Sequence, residues 1–574
     1  MKNMKTIYKI SLFFLSLTVL VGCEDDLLDV PPQDMLVDET YWSSEGNVKT
    51  FAFGFYTGYF KGYGSGYTWG NYFSGQTLND DFAPTNPSRF ALQVPTSGGG
   101  WGFGWVRKAN IFINRVQTVP MEQEAIDHWT GIGRFFRAME YHDLVARFGD
   151  VPYYDQELSE EDNEQLYKTR DDRTFVMDKV LEDLQFAATN VRASVDNNGL
   201  EVNKDVVLAF MSRIMLYEGT WQKYHENNSA KASEYLEAAK WAADQIINSG
   251  NYSLGNYRAV FNSLSLKSNP EVILYKEYES GLLTHALNSY NNKEPQTGIS
   301  KNAIESYLTE DGLPISLSPL YQGDQGIDNV MANRDGRIYE TFVSSELRIN
   351  GVAPNHSTTG IATHKFLNES IKDDPIGSSN LNPTDAPIIR YGEVLLNYIE
   401  AVAELATLGG AAVSQGDLDR SINVLRDRVG VNLPHLQVLG DMPAVGGIVY
   451  DDPKRDQDVP ALLWEVRRER RVELIMEGYR LDDLKRWKKL AYVDMVANPE
   501  INRGAWIKKS DYPESELKDI TLTDGDEGYI IPASASASLR VFDNERVYLS
   551  PIPLDQITLY KDQGVTLEQN PGWE

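Results

Sequence analysis

Cysteine and histidine are the scarce residues of this 574-residue chain, with one cysteine, Cys23, and seven histidines. A disulfide within the chain is excluded, because Cys23 has no second cysteine to pair with. The histidines stand at 128, 142, 225, 285, 356, 364 and 435, and no two are three to five residues apart, so a helix-borne zinc pair is excluded as well. Basic residues are also few, 54 Lys+Arg against 83 Asp+Glu, which sets the formal net charge at -29. Phosphate backbones need a basic footprint, and nucleic acid is therefore not an expected partner. The sequence contains no H-E-x-x-H, no G-x-x-x-x-G-K-[ST], no G-x-S-x-G and no G-x-G-x-x-G, which removes the common metalloprotease, P-loop, hydrolase and dinucleotide signatures. Glycoside hydrolysis by paired carboxylates stays open, since acids are plentiful and sequence does not show which lie a few Å apart.

What is present begins with an address. Lys2, Lys5 and Lys9 lead into the apolar residues 10–21, about half the length needed to span a bilayer, which reads as a signal peptide over 1–22. The run closes in Leu20-Val21-Gly22-Cys23, a spelling that resembles a bacterial lipobox, so Cys23 is the expected lipidation site and 23–45 a tether. Glu24, Asp25 and Asp26 resemble the acidic export tag of surface lipoproteins in the Bacteroidetes. Beyond this leader, no stretch offers 18 uninterrupted apolar residues.

Helical hairpins dominate the body, so the expected fold class is mostly α. Ile132, Phe135, Phe136, Met139, Val145 and Phe148 recur at helical spacing, and Gly149 with Pro152 ends that helix. Helices are expected over about 206–224 and from Ser233 to Gly250, joined by a polar turn at Asn227 and Asn228. Two amphipathic helices joined so briefly should lie antiparallel and stack in a tetratricopeptide-like way. The pairing repeats with Val394, Leu395, Tyr398, Val402 and Leu405 before Gly409, then Leu418, Ile422, Leu425 and Val429 before Gly430, with Asp417 as the expected cap. One long helix is expected over 460–482. Residues 51–105, 311–385 and 431–460 are rich in Gly, Pro, Asn and Asp and read as loop excursions with a few short strands.

The densest charge constellation is Arg467-Arg468-Glu469-Arg470-Arg471 with Glu473 and Glu477. Glu469, Glu473 and Glu477 share a helix face and could hold a metal, but Arg and Glu at three- and four-residue steps are expected to pair with each other and brace the helix. Asp25-Asp26 and Asp171-Asp172 could hold Ca²⁺, yet such runs are usually solvated, so no cofactor is expected.

Several segments, in order, resemble the SusD/RagB-like family of outer-membrane nutrient-binding lipoproteins of Bacteroidetes. They are Cys23 through Leu28-Asp29-Val30-Pro31-Pro32 to Tyr41-Trp42, Arg134-Phe135-Phe136-Arg137-Ala138 to Phe148-Gly149-Asp150-Val151-Pro152, Arg390-Tyr391-Gly392-Glu393 to Glu400-Ala401, Arg468-Glu469-Arg470-Arg471 through Glu477-Gly478-Tyr479-Arg480 to Arg486-Trp487, and Tyr548-Leu549-Ser550-Pro551 with Asn570-Pro571-Gly572-Trp573. The resemblance implies a helical region over 46–270 and a family-typical region over 271–574. It also implies a lipid-anchored, surface-exposed protein of the outer membrane that binds an oligosaccharide, catalyses nothing, and serves a SusC-like TonB-dependent transporter. An oligopeptide is the alternative ligand and a surface glycosidase the remote alternative. These motifs belong to the scaffold and carry no binding residues over.

The binding site must therefore be read from chemistry. A sugar presents an apolar C–H face and a rim of hydroxyls, so its receptor is an exposed aromatic platform flanked by polar side chains. Two loop regions fit. The first, within 63–105, offers Tyr67, Trp69, Tyr72, Asn79, Asp80 and Asp81, while Trp101 and Trp105 are expected in the core. The second, 275–292, offers Tyr278, Tyr290, Asn291 and Asn292 together with His285 and Asn288. The net charge of -29 favours a neutral glycan over an acidic one.

Overall fold

The apolar spacing that begins at Ile132 belongs to a helix of 26 residues, Gln123–Phe148, which Gly149 ends at φ 73°. The computed structural model describes residues 41–68, 70, 72, 76–195, 199–287, 298–349 and 357–573. Cys23 and the leader and tether up to residue 40 lie outside them. Helix occupies 44% of the chain and strand 8%, as the mostly-α expectation requires.

In chain order the principal helices are α1 (Glu45–Tyr59), α2 (Gly104–Val116), α3 (Gln123–Phe148), α4 (Arg173–Asn190), α5 (Lys204–Tyr224), α6 (Ser229–Ser249) and α7 (Tyr391–Thr407). They continue with α8 (Gln415–Asp419), α9 (Ile422–Arg426), α10 (Ala461–Glu473), α11 (Arg480–Arg486) and α12 (Leu554–Asp562). Local chemistry sets their ends. The Asn203 side chain accepts from Val206 N–H, Asn228 accepts from Lys231 N–H, and Gly250 takes the left-handed conformation after α6. From α2 to α6 each helix packs on its successor, and α7 closes against α5, α6 and α10. This is the tetratricopeptide-like stack. One apolar core runs from Trp42 through Phe136, Leu216 and Leu395 to Leu567, so 46–270 and 271–574 share it.

Short strands fill the excursions. β1 (Val272–Lys276) pairs antiparallel with β2 (Ala386–Arg390), bringing the intervening chain, 277–385, back to the stack. A meander of β3 (Gln437–Leu439), β4 (Met442–Val445) and β5 (Ile448–Val449), and a sheet of β6 (Trp506–Lys508), β8 (Glu527–Ile530) and β7 (Leu522–Asp524), complete them.

Three sequence expectations are corrected. Ser414, not Asp417, caps α8, and Asp417 completes the capping box from the third position. The expected helix over 418–429 divides into α8 and α9, and Val429 is 93% exposed, whereas Leu418, Ile422 and Leu425 are buried. The long helix over 460–482 breaks after Glu473, where Met476 and Gly478 adopt positive φ. The carbonyls freed by that break find buried donors. Tyr257 and Arg390 donate to Glu473 O, and Lys365 donates to Ile475 O.

The Arg/Glu run is structural, but its partners lie across the fold. Only Arg468–Glu465 pairs within α10. Glu473 accepts from Arg390 at 2.8 Å and Arg337 at 3.0 Å and pairs with Arg428 at 3.0 Å; Glu469 joins Arg337 and Arg426; Glu477 joins Lys365 and Arg390. Arg470 reaches Asp483 and Asn397, Arg467 reaches Glu404, and Arg486 holds Glu400 bidentately. Because α10 is buried nearly all round, its charges have no water and must be satisfied by packed neighbours. Among the described residues no group of three His, Cys, Asp or Glu could hold a metal, and no helix is long and apolar enough to cross a membrane. Asp172 instead caps α4, and Asp171 pairs with Lys168.

Two tests follow from this network. Glu473→Ala removes a shared carboxylate from three buried guanidiniums, and chemical denaturation should show a loss of about 3–5 kcal/mol. The surrounding arginines, acting against burial, hold the carboxyls of Glu473 and Glu400 down at about 2, below the ordinary 4.5. A depressed carboxylate stabilises the fold above its unfolded pKa, so stability should be complete above about pH 4.5 and fall as pH drops toward 2. A melting temperature flat across that interval would contradict this.

Candidate functional site

The two loop regions singled out by sequence are joined in space, and a third loop joins them. Gly66 N–H donates to Thr284 O at 2.7 Å, and the Tyr278 hydroxyl donates to Gly64 O at 2.6 Å. His285 and Asn382 exchange backbone hydrogen bonds at 3.0 and 3.3 Å. Above this junction the Tyr67 ring is 61% exposed, and its hydroxyl lies 2.6 Å from Ser379 Oγ. Ser379 sits at φ 53°, in the sparsely populated left-handed region, so its backbone is turned specifically where it meets Tyr67. Leu282 and Leu381 stand exposed on the two partner loops.

Beneath Tyr67 is a buried aromatic layer. Tyr63 meets Tyr72 edge-on at 4.6 Å, His285 at 4.9 Å and Phe366 at 5.7 Å, and Tyr278 meets His285 at 4.7 Å. Each polar tip is spoken for: Tyr63 donates to Phe261 O at 2.8 Å and Tyr72 to Pro387 O at 2.7 Å. Burial lowers the His285 imidazole to about 4, so the ring is neutral at physiological pH. Leu287 N–H donates to its Nδ1, which leaves Nε2–H to donate to Thr384 O at 3.0 Å and defines the tautomer. Asp385 clasps the layer from below, accepting from Tyr278 N–H at 2.8 Å and Leu266 N–H at 2.9 Å. Burial pushes its carboxyl up to about 6 despite those two donors.

The predicted residues thus separate. Tyr67 is the exposed platform. Tyr72 and Tyr278 are buried and support it; neither presents a face to solvent. Asn79, Asp80 and Asp81 are buried elsewhere, in the charge network. Arg480 holds Asp80 bidentately at 2.7 Å, Arg471 donates to Asp81 at 2.7 Å, and Asn79 accepts from two following backbone N–H groups through its side chain. The paired guanidiniums hold the Asp80 carboxyl well below its usual range, against its burial. Two acids following an Asn looked like solvent-facing partners because the arginines that neutralise them lie almost 400 positions away in sequence. Trp69, Tyr290, Asn291 and Asn292 lie outside the described residues. Trp101 is buried and Trp105 half-buried against Phe55 and Tyr59, as expected of core residues. Sequence reading missed the loop 376–384 with Ser379 and Asn382. Its only signal was the turn-forming run Gly377-Ser378-Ser379-Asn380.

A helical-hairpin scaffold thus gathers three loops into one aromatic-tipped surface. The chain belongs to the SusD family, whose model matches residues 270–573. Residues 102–216 also match a model described as starch-binding associating with outer membrane. A SusD-like protein of Formosa agariphila is 24% identical over 528 residues, covering 86% of this chain and 93% of that protein. Among solved structures, a SusD-like carbohydrate binding protein from Bacteroides fragilis superposes with a TM-score of 0.66 at 22% identity, covering 91% of this chain and 99% of its own. A laminarin binding SusD-like protein superposes with a TM-score of 0.54 at 17% identity, covering 92% and 100%.

The division between platform and support is testable by hydroxyl removal. Tyr72→Phe leaves the buried Pro387 carbonyl without its side-chain donor and should cost about 1 kcal/mol in thermal or chemical denaturation. Tyr67→Phe, made at the exposed surface, should cost less than about 0.5 kcal/mol.

Proposed function

We propose that this protein is a non-catalytic receptor for neutral oligosaccharides, anchored through a lipid on Cys23 at the outer-membrane surface, that passes its ligand to a SusC-like TonB-dependent transporter. The observation that carries this reading is the Tyr67 ring, exposed on three joined loops and held by its hydroxyl against Ser379. An aromatic face already fixed in place costs little further entropy when a sugar ring stacks on it. The glycan-binding descriptions of the matched family model and of the similar solved proteins support the ligand class. The net charge of -29 supports neutral over acidic glycans through long-range repulsion. Anchor and transporter follow from the lipobox-like spelling at Cys23 and from family membership.

Titration calorimetry against neutral and acidic oligosaccharides and mixed peptides tests the reading. Saturable heat with one neutral class is expected, and Tyr67→Ala should weaken it at least tenfold, about 1.4 kcal/mol, with an unchanged melting temperature. Unaltered affinity in that variant would remove Tyr67 from the site, and binding of peptides alone would replace the glycan reading.

A further inference from the structure

A second concavity, of about 350 Å³, opens between α3, α5, α11 and the turn after α1. Its walls include the rings of Tyr59, Phe210 and Tyr217, and Lys61, Asp143 and Asp482 stand around it. Tyr67 itself is not part of it, although Tyr72, buried beneath that ring, also borders the cleft.

Most charges in its lining are already answered. Arg213 is held by both oxygens of Glu393, at 2.6 and 2.7 Å, and donates to the Tyr479 hydroxyl. Arg486 is held by Glu400 and Asp483, and Arg470 by Asp483. Glu477 is taken by Lys365 and Arg390, and Glu140 accepts from the Tyr59 hydroxyl. Burial keeps His142 neutral, with its pKa near 3.

Two carboxylates are left over. Asp143 on α3 and Asp482 on α11 are exposed to the water of the cleft, and among the described residues neither has an ion-pair partner within 4.0 Å or a hydrogen bond. Asp482 adds to the burden on Asp143. The surrounding protein, then Glu140 and Asp482, push Asp143 up to about 7 even though water reaches it; burial and Asp483 raise Asp482 against the pull of Lys485, Arg486 and Arg213. The fields of Lys61 and Arg147 only partly offset this.

An independent feature points the same way. Tyr217 is only 6% exposed, yet its hydroxyl has no hydrogen-bond partner among the described residues, and the side chain lines this cleft. That hydroxyl is open to the water of the cleft, whereas His142 Nδ1, on another lining residue, is buried without a partner, which is costly, and a ligand in the cleft would supply one. Aromatic walls, an unpaired hydroxyl and two carboxylates without a cation are together complementary to a protonated amine on a small hydroxylated or apolar scaffold.

We propose that this cleft binds a ligand carrying a primary ammonium group, seated between Asp143 and Asp482 with the Tyr217 hydroxyl as a further acceptor. The site is separate from the glycan platform and does not depend on it. Two sources share this chemistry, an amino sugar and a lysine-like amine.

The test is calorimetric titration of the purified full chain with glucosamine, N-acetylglucosamine and lysine amide. Glucosamine, lysine amide or both should bind at least tenfold more tightly than N-acetylglucosamine, whose nitrogen is an uncharged amide. Preference between the two amines assigns the source. Asp143→Asn and Asp482→Asn should each weaken amine binding at least tenfold, while Tyr67→Ala should leave it intact, which separates this site from the platform. Lys61→Met, an exposed change that removes a competing cation, should tighten amine binding about two- to fivefold. Equal binding of glucosamine and N-acetylglucosamine, absence of amine binding, or an amine affinity that Lys61→Met fails to raise would overturn the proposal.

Discussion

The buried charge network around α10 is the constraint on which the rest of the molecule depends. Glu473 alone is approached by Arg390, Arg337 and Arg428, which arrive from three segments far apart in sequence. Burying so many charges is expensive, and the cost is offset only when every partner is in position. Half-formed versions of this core would leave naked charges in a low dielectric, so the network favours one arrangement of α7, α10 and α11 over near alternatives. Apolar packing alone would discriminate less sharply, because it is non-directional.

That network also sets where the loops emerge. Arg390 ends β2 and opens α7, and the strand it ends carries Pro387, whose carbonyl receives the Tyr72 hydroxyl. Asp80 and Asp81, fixed by Arg480 and Arg471, tie the first loop region to α10 and α11. The Tyr63, Tyr72, Tyr278 and His285 layer is thereby wedged between a charged core and the surface, and Tyr67 rests on a support with no free polar tips. A surface assembled from loops is held in place in this way without long regular elements.

Much of the helical scaffold was legible in the sequence because its signals are local. Apolar spacing from Ile132, the asparagines at 227 and 228, and Gly149 and Gly250 each act within a turn or two of helix. The breaks within 418–429 and 460–482 were not legible. Their cause is the capture of backbone carbonyls by Arg390, Tyr257 and Lys365, whose positions are not implied by any nearby residue. The same distinction governs the site. Tyr67 could be chosen from aromatic content in a Gly-rich loop, but the separation of Tyr72 and Tyr278 from it could not, since alternation between ring faces in an irregular loop has no period to read. Asp80 and Asp81 illustrate the general difficulty: adjacent acids look alike whether water or a distant guanidinium completes them.

The acidic composition admits the same division. Against 83 acids the chain has 54 Lys and Arg, and the interior consumes a large share of the arginines. Because buried pairs largely cancel, most of the net charge of -29 is carried by the outside of the fold. A surface of that sign repels acidic polymers within a Debye length of about 10 Å and is indifferent to neutral chains. The same field would draw a cationic residue toward any concavity whose carboxylates remain unpaired. Asp143 and Asp482 are such carboxylates, and they lie where the helical stack meets α11, a junction that the charge network itself creates. The charge of the surface and the location of the cleft thus both follow from how the arginines are spent inside.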